Sequence, residues 1–505
     1  MKEVAMKKTV TFLLAITLIP SLALATYDWQ DLRVNNIYST VTNYGVLGHL
    51  IPAGSGAGTY WPMPAVDSLN NLLPPLMNYV YGWGLWVGAQ VHNDTIPGKM
   101  DTLVTSGYNP NNGNSEFTPG EVISGTPQAP ADSSAKVYLS TDADWPLKKT
   151  GGQDSIISML DTRCTYNDYL TIAHATGGRP LKIEVTQTTY QWNLPILEDL
   201  IYFVWEIKNT QSDTLCDVYL APTTDFDIGN EANAACNDVC FYDTTTSMAY
   251  NYQVSPTATC EGWTRPAGCV GVSIMESPKA TKDYTFPDGY KIYKDSIIGL
   301  FAFKVLNIMI DPQTDQEQYK EMSGYNYVTG EFKRFDPKPF PGDQRFIAST
   351  GPADIAPGES VKLTVCLICA GYNYAYLNID DTLAIDSLRL KARYAKIFYD
   401  QLGISGLPNE NASVPLVLQQ NSPNPFRQQT VINFQISKSE IVNLKIYNIA
   451  GQLVKTLVSG QAGAGPHTVK WDGRDSHGNK VSSGIYIYRL QAENKDMTKK
   501  LVILR

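Results

Sequence analysis

Charge is scarce in this chain: Asp, Glu, Lys and Arg make up 18% of its 505 residues, and histidine occurs five times. His49, His92, His174, His467 and His477 include no HExxH and no pair at metal-ligand spacing, so the common zinc-hydrolase signature is absent. A GxSxG elbow is missing too, which removes the usual pointer to an α/β-type serine hydrolase. Past the first 25 residues no apolar run approaches the roughly 20 residues a membrane-spanning helix needs. Most of the chain is acidic, which argues against nucleic acid as a partner, because phosphate contacts draw on clustered Lys and Arg.

At the amino terminus, Lys2, Lys7 and Lys8 precede the apolar run from Val10 to Ile19, and Pro20 and Ser21 lead into Ala23-Leu24-Ala25. That order predicts a secretory signal peptide over residues 1–25, cleaved after Ala25. Its apolar stretch, about ten residues, falls short of a bilayer span. With 30 Tyr, 9 Trp, 38 Gly and 30 Pro, the remainder favours strands and turns over helices. Net charge is −9, but it is divided: residues 415–505 carry 12 Lys plus Arg against 5 Asp plus Glu, so the acidity lies ahead of them. An exterior of that kind serves solubility and is compatible with divalent cations or cationic surface polymers.

Eight cysteines, at 164, 216, 236, 240, 260, 269, 366 and 369, allow disulfides in an exported protein. Cys236 with Cys240 and Cys260 with Cys269 are candidate loop staples, with buried thiols as the alternative. Cys366 and Cys369 sit in an alternating run from Val361. Residues three apart on a strand face opposite sides, which argues against a redox or zinc motif there.

Residues 26–180 are turn-rich, with short aromatic segments such as Tyr79–Gly88. From Leu181 the strand signals sharpen. Ile183 and Val185 alternate with polar neighbours, and Ile201, Phe203, Trp205 and Ile207 share one face after a turn near Asn193. Ala356-Pro-Gly-Glu359 introduces a late apolar strand at 361. This order predicts an antiparallel β-sandwich or jelly roll over residues 181–403, so that the chain as a whole is mainly β and multi-domain. One amphipathic helix is expected at 381–402, where Ala384, Leu388, Ala392, Ala395, Tyr399 and Leu402 fall three and four apart. Residues 404–414 read as a linker.

After the linker come strand candidates at 430–436, 442–449, 452–458, 467–471, 484–492 and 497–504, the density of an immunoglobulin-like sandwich. Asn421-Ser-Pro-Asn424-Pro425-Phe426, Ile446-Tyr-Asn-Ile-Ala-Gly451, Trp471-Asp472-Gly473, Gly484-Ile-Tyr486 and the basic-apolar end from Lys499 and Lys500 to Arg505 punctuate it. Residues 415–505 thereby resemble the type A C-terminal sorting domain of the type IX secretion system, which overlaps with FlgD-like immunoglobulin-like domains. The Trp471–Asp475 run leans towards the FlgD-like branch. The resemblance implies that the module is recognised after Sec export, carried across the outer membrane, then cleaved off or used for attachment. Secretion and outer-membrane attachment machinery would be its partners, and the location would be extracellular or on the outer-membrane surface. On physical grounds, Phe426 is expected to plug one end of the sandwich, Gly451 and Gly473 to occupy positive-φ turns, and the last strand to offer its edge to a receptor.

The preceding passenger has one acidic cluster of note, Thr224-Asp225-Phe-Asp227-Ile-Gly-Asn230-Glu231, followed by Asp238. Asp225 and Asp227 project from one side of an extended strand, and Asn230, Glu231 and Asp238 could return oxygen ligands, as calcium requires. Gly229 and Asn230 break the EF-hand order. Turn-forming carboxylates at a sheet edge are the competing reading. Apart from that Ca2+, no cofactor is indicated. A non-enzymatic adhesive or structural surface protein is the leading reading. The alternatives are a carbohydrate-binding protein using Trp61, Trp83, Trp86 or Trp145, and a calcium-dependent or carboxylate hydrolase.

Overall fold

In the computed structural model the described residues are 27–48, 58–62, 78–110, 113–128, 135–148, 152, 155–174, 178–194, 197–228, 238–253, 268–306, 311–371, 381–402, 404, 417–418, 421, 424–436, 440–462, 465–492 and 495–504. The expected signal peptide and linker lie outside them. They form two compact units, divided between Lys396 and Ile397.

The first unit is an antiparallel sandwich. One sheet of eight strands runs in the order Trp29–Leu32, Ser39–Thr42, Val46–Leu47, Gly82–His92, Leu215–Asp225, Arg345–Ile355, Ala302–Leu306, with Met100–Ser106 also paired to Gly82–His92. Centred on Ile183–Gln191, Leu200–Asn209, Ser360–Ala370 and Cys269–Glu276, the facing sheet has nine. Strands before residue 180 pair with strands after it in both sheets, as Gly82–His92 does with Leu215–Asp225 and Leu160–Asn167 with Ile183–Gln191. The expected division at residue 180 therefore falls inside a single body.

Strand periodicity sets what each face buries. In Gly82–His92 the residues Trp83, Leu85, Val87, Ala89 and Val91 enter the main core between the sheets, where they meet Ile201, Phe203, Trp205 and Ile207. Trp83 contacts Phe203 edge-on with ring centroids 4.7 Å apart. Trp86 points the other way, into a second core beside helix α1 (Asp315–Met322). That helix is short and polar and is not among the expected elements, although Thr314 and Glu317 close a full capping box at its start. The Ala356–Glu359 corner carries the chain from one sheet to the other, between the Arg345–Ile355 and Ser360–Ala370 strands. Helix α2 (Asp381–Leu402) matches the expected bounds, and all six of its expected apolar positions are buried. It is fixed to the nine-stranded sheet by the Tyr202 hydroxyl, which donates to the Ala395 carbonyl at 2.8 Å, and by the Lys391–Asp199 ion pair at 2.6 Å. No helix among the described residues is long and apolar enough to cross a membrane.

Cys240 is a buried free thiol, so the Cys236–Cys240 staple does not form. Cys236 and Cys260 lie outside the described residues. Cys366 and Cys369 are buried free thiols on one strand, in keeping with the alternation of that run. Burial pushes both thiols well above their usual pKa, so neither is a poised nucleophile.

Helix α1 also carries a buried polar knot. Lys304 Nζ lies 2.7 Å from Asp336 Oδ1 and 3.7 Å from Glu321 Oε2. Burial, only partly offset by Lys304, pushes Glu321 up to about 7. The folded state thus holds this proton more tightly than the unfolded chain, whose glutamate titrates near 4.3, and stability falls as pH rises from about 4.5 to about 7. Glu321→Gln keeps an acceptor for the Tyr327 N–H and leaves Lys304 its Asp336 partner. The variant is expected to gain on the order of 2 kcal/mol over the parent at pH 8 and little at pH 4.5, read from urea unfolding at the two pH values.

The second unit contains a small sandwich: Val417–Leu418, Thr430–Ile436 and Gly465–Trp471 in one sheet, and Leu453–Ala462, Glu440–Asn448, Gly484–Ala492 and Lys495–Ile503 in the other. Phe426, Phe434, Leu444, Ile446, Trp471, Tyr488, Leu490 and Leu501 fill its core.

Candidate functional site

At one end of the large sandwich the strand Leu215–Asp225 finishes opposite the start of Arg345–Ile355, and the register pairs Asp225 with Arg345 on one side and with Gly82 on the other. Cross-strand pairing thus sets a carboxylate against a guanidinium, with Arg345 Nε 3.1 Å from Asp225 Oδ1. Gly82 makes room for the Tyr108 ring, since a Cβ at that position would lie 2.5 Å from it. The Tyr108 hydroxyl donates to Asp225 Oδ2 at 2.9 Å. Arg345 is also paired with Asp311 and lies 4.0 Å from Asp343.

Asp225, Asp227 and Asp343 are the one group of three among the described residues whose ligand atoms converge enough for a metal ion, all within 4.8 Å of one another. Asp225 is 2% exposed, and burial pushes its carboxyl up to about 6 against the pull of Arg345 and Tyr108. Asp311 is likewise raised by burial and lowered by Arg345. For the guanidinium, burial works downward, but Asp225, Asp311 and Asp343 outweigh it and raise its pKa.

The structure thus brings together two of the five expected ligands. Asp238 is placed differently: its Oδ2 accepts the Ile228 N–H at 2.8 Å and its carbonyl accepts the Gly342 N–H at 3.0 Å, so it braces the loops instead of joining the trio. Asn230 and Glu231 lie outside the described residues. Asp343, Arg345, Asp311 and Tyr108 were missed, because each comes from a segment remote in sequence. The one local hint was Pro341-Gly342-Asp343, a turn leading into a strand, which reads equally well as ordinary punctuation. In the same turn Phe340, between two prolines, is 92% exposed.

A second buried knot holds one of the histidines. His174 Nε2 donates to the Asp168 carbonyl at 3.0 Å, and its Nδ1 lies 3.9 Å from Glu116 Oε1. Asp315, pushed up to about 6 by burial and by Glu116, belongs to the same region. The tryptophans expected as sugar platforms are core residues in three cases, Trp83, Trp86 and Trp145, each at most 1% exposed. Trp61 is half-buried, with its indole N–H donating to Asp199 at 2.6 Å. Trp83, Trp86 and Trp145 therefore offer no open ring face of the kind that platform reading needs.

In the C-terminal unit the expected motif residues have structural jobs. Phe426 is 2% exposed and meets Trp471 edge-on at 5.7 Å, while Tyr486 meets the same indole at 5.8 Å. The Trp471 indole N–H donates to the Arg474 carbonyl across the turn that contains Asp472 and Gly473. Gly451 and Gly473 adopt φ of 78° and 66°, as their turns require. Lys499 and Lys500 lie on the last strand, opposite Tyr488 and Ile487. That strand is not open along its whole edge, contrary to expectation: the Asn424 side chain bonds Lys500 and Val502, and Phe426 exchanges backbone hydrogen bonds with Val502 and Leu504. The Asn-Pro-Phe segment therefore seals the strand from Lys500 onward, which protects an otherwise sticky edge.

The family model of the FlgD Ig-like domain matches residues 421–496. The C-terminal unit carries a FlgD Ig-like domain. No curated protein matches the chain. Among solved structures, a polysaccharide lyase is similar at 11% identity over 91% of this chain and 46% of that one, with a TM-score of 0.28. Dimeric latent PorU from Porphyromonas gingivalis is similar at 10% identity over 95% of this chain and 34% of that one, with a TM-score of 0.17. PorZ, a surface component of the type IX secretion system of that organism, is similar at 11% identity over 95% and 51%, with a TM-score of 0.14. The chain thus covers between 34% and 51% of the length of these three proteins.

Proposed function

We propose that this protein is an exported bacterial surface protein in which the FlgD Ig-like domain directs delivery and attachment and the large sandwich is a non-enzymatic adhesive or structural passenger. The observation that carries the reading is the self-contained C-terminal unit, with its own apolar core and a final strand half sealed and half open. Among the described residues only 500–504 are paired along the outer edge of that strand, which leaves residues 495–499 for a partner. A type IX route after Sec export fits the Asn424–Phe426, Trp471–Gly473 and Lys499–Lys500 motifs. Compositionally the passenger fits a life outside the cell, and its buried thiols and core tryptophans fit a structural use of those side chains.

Removing residues 415–505 is expected to keep the passenger folded and to cut its appearance on the cell exterior at least tenfold, measured by protease accessibility and fractionation. Undiminished surface delivery of the truncated chain would overturn the reading.

A further inference from the structure

We propose that Asp225, Asp227 and Asp343 form a binding site for a hard divalent cation, calcium first among them, at the end of the large sandwich. The inference goes beyond the delivery reading and does not rest on it. Three carboxylates whose ligand oxygens lie within 4.8 Å of one another supply the all-oxygen, uneven donor set that calcium accepts. Nitrogen and sulfur donors, which would favour zinc or copper, are absent from the trio.

Charge and hydrogen bonding supply the independent support. Asp225, Asp311 and Asp343 share one cation, the Arg345 guanidinium, so three carboxylates lean on a single positive charge. Asp225 is 2% exposed; its Oδ2 is taken by Tyr108, yet no described donor hydrogen-bonds its Oδ1. Arg345 Nε stands 3.1 Å from that oxygen, but its N–H reaches no acceptor, so the pair is close without being aligned. Asp343 Oδ1 is buried and lacks a hydrogen bond as well. A buried ionised oxygen without a donor is costly, and a divalent cation between these oxygens removes that cost. The donors come from a strand end, the residue two beyond it and a Pro-Gly turn, held in place by the Asp238 brace. Waters and carbonyl groups would complete a shell of six to eight.

The test uses the full chain. In 5 mM CaCl2 the passenger transition is expected to rise by roughly 2–3 °C over its value in EDTA, given the ~0.1 mM affinity of an extracellular calcium module. Terbium is expected to give calcium-displaceable luminescence, with Tyr108 beside the site as sensitiser. Asp227→Asn and Asp343→Asn, both partly exposed and outside the core, should each weaken calcium binding at least tenfold while melting cooperatively in EDTA. If the parent shows neither a calcium shift nor a terbium signal, Arg345 alone serves these acids and the proposal fails. Binding that survives in the double variant would also overturn it.

Discussion

Arg345→Met is expected to cost the passenger about 3–5 kcal/mol, read as a fall in the urea midpoint in EDTA at pH 7.5. The size follows from what the variant leaves behind. Asp311 has no side-chain exposure and Asp225 almost none, and Arg345 is the cation that both of them contact. Deleting the guanidinium strands two buried carboxylates, which is far worse than losing an exposed ion pair worth well under 1 kcal/mol. Methionine fills much of the same space, so a cavity contributes little. A double variant, Arg345→Met with Asp311→Asn, should recover part of the loss, because one stranded charge is then neutral. A single-variant loss below about 1 kcal/mol, or no recovery in the double, would show that the acids do not depend on Arg345.

The large sandwich was legible where one face of a strand is buried and the other is not. Ile201, Phe203, Trp205 and Ile207 alternate for that reason, and helix α2 announced itself through a stripe of small and apolar residues that lies on a sheet. Helix α1 was hidden because Asp315–Met322 is short and polar, and its buried residues include Asp315, Gln318 and Glu321, which no hydrophobic pattern marks. The acidic site was half visible. Asp225 ends the Leu215–Asp225 strand and Asp227 lies two residues beyond it, so their common side follows from the period of two carried past the strand end. Their partners Asp343 and Arg345 arrive through a cross-strand register that long-range pairing alone decides. Asp238 was misplaced for a related reason: chain proximity suggested a ligand, whereas its carboxylate is spent on the Ile228 N–H.

Trp83, Trp86 and Trp145 show the same limit from the other side. A tryptophan between glycines can be an exposed platform or a core block, and composition does not separate the two. The decision lies with strand partners that leave room for the rings, as the facing Phe203 and Trp205 do for Trp83. In the C-terminal unit six strands were readable to within four residues at each end, because each is short and alternating, whereas Val417–Leu418 was not expected. What stayed hidden there was the sealing of the last strand by Asn424 and Phe426, a contact across more than seventy residues.

Trp471→Ala is expected to unfold the FlgD Ig-like domain while leaving the passenger transition in place. The indole is fully buried and is packed by Phe426 and Tyr486, and its N–H caps the Arg474 carbonyl, so truncation removes a large volume and a hydrogen bond together. Such a change costs about 3–5 kcal/mol. A module of this size holds on the order of 5–10 kcal/mol in total, so little or nothing remains at 37 °C. Phe426 would lose its edge-on partner in the same step, and with it the strap that seals residues 500–504. Surface delivery should therefore fall as far as it does on removing the whole module. Ile441→Ser, at a side chain 68% exposed on the same small sandwich, should stay within about 0.5 kcal/mol of the parent and export normally. Calorimetry of the two variants, with fractionation of the producing cells, separates a folded module that is gripped from a linear tag. If Trp471→Ala melts the module yet leaves export intact, recognition reads the extended tail alone and the fold of the domain is dispensable for delivery.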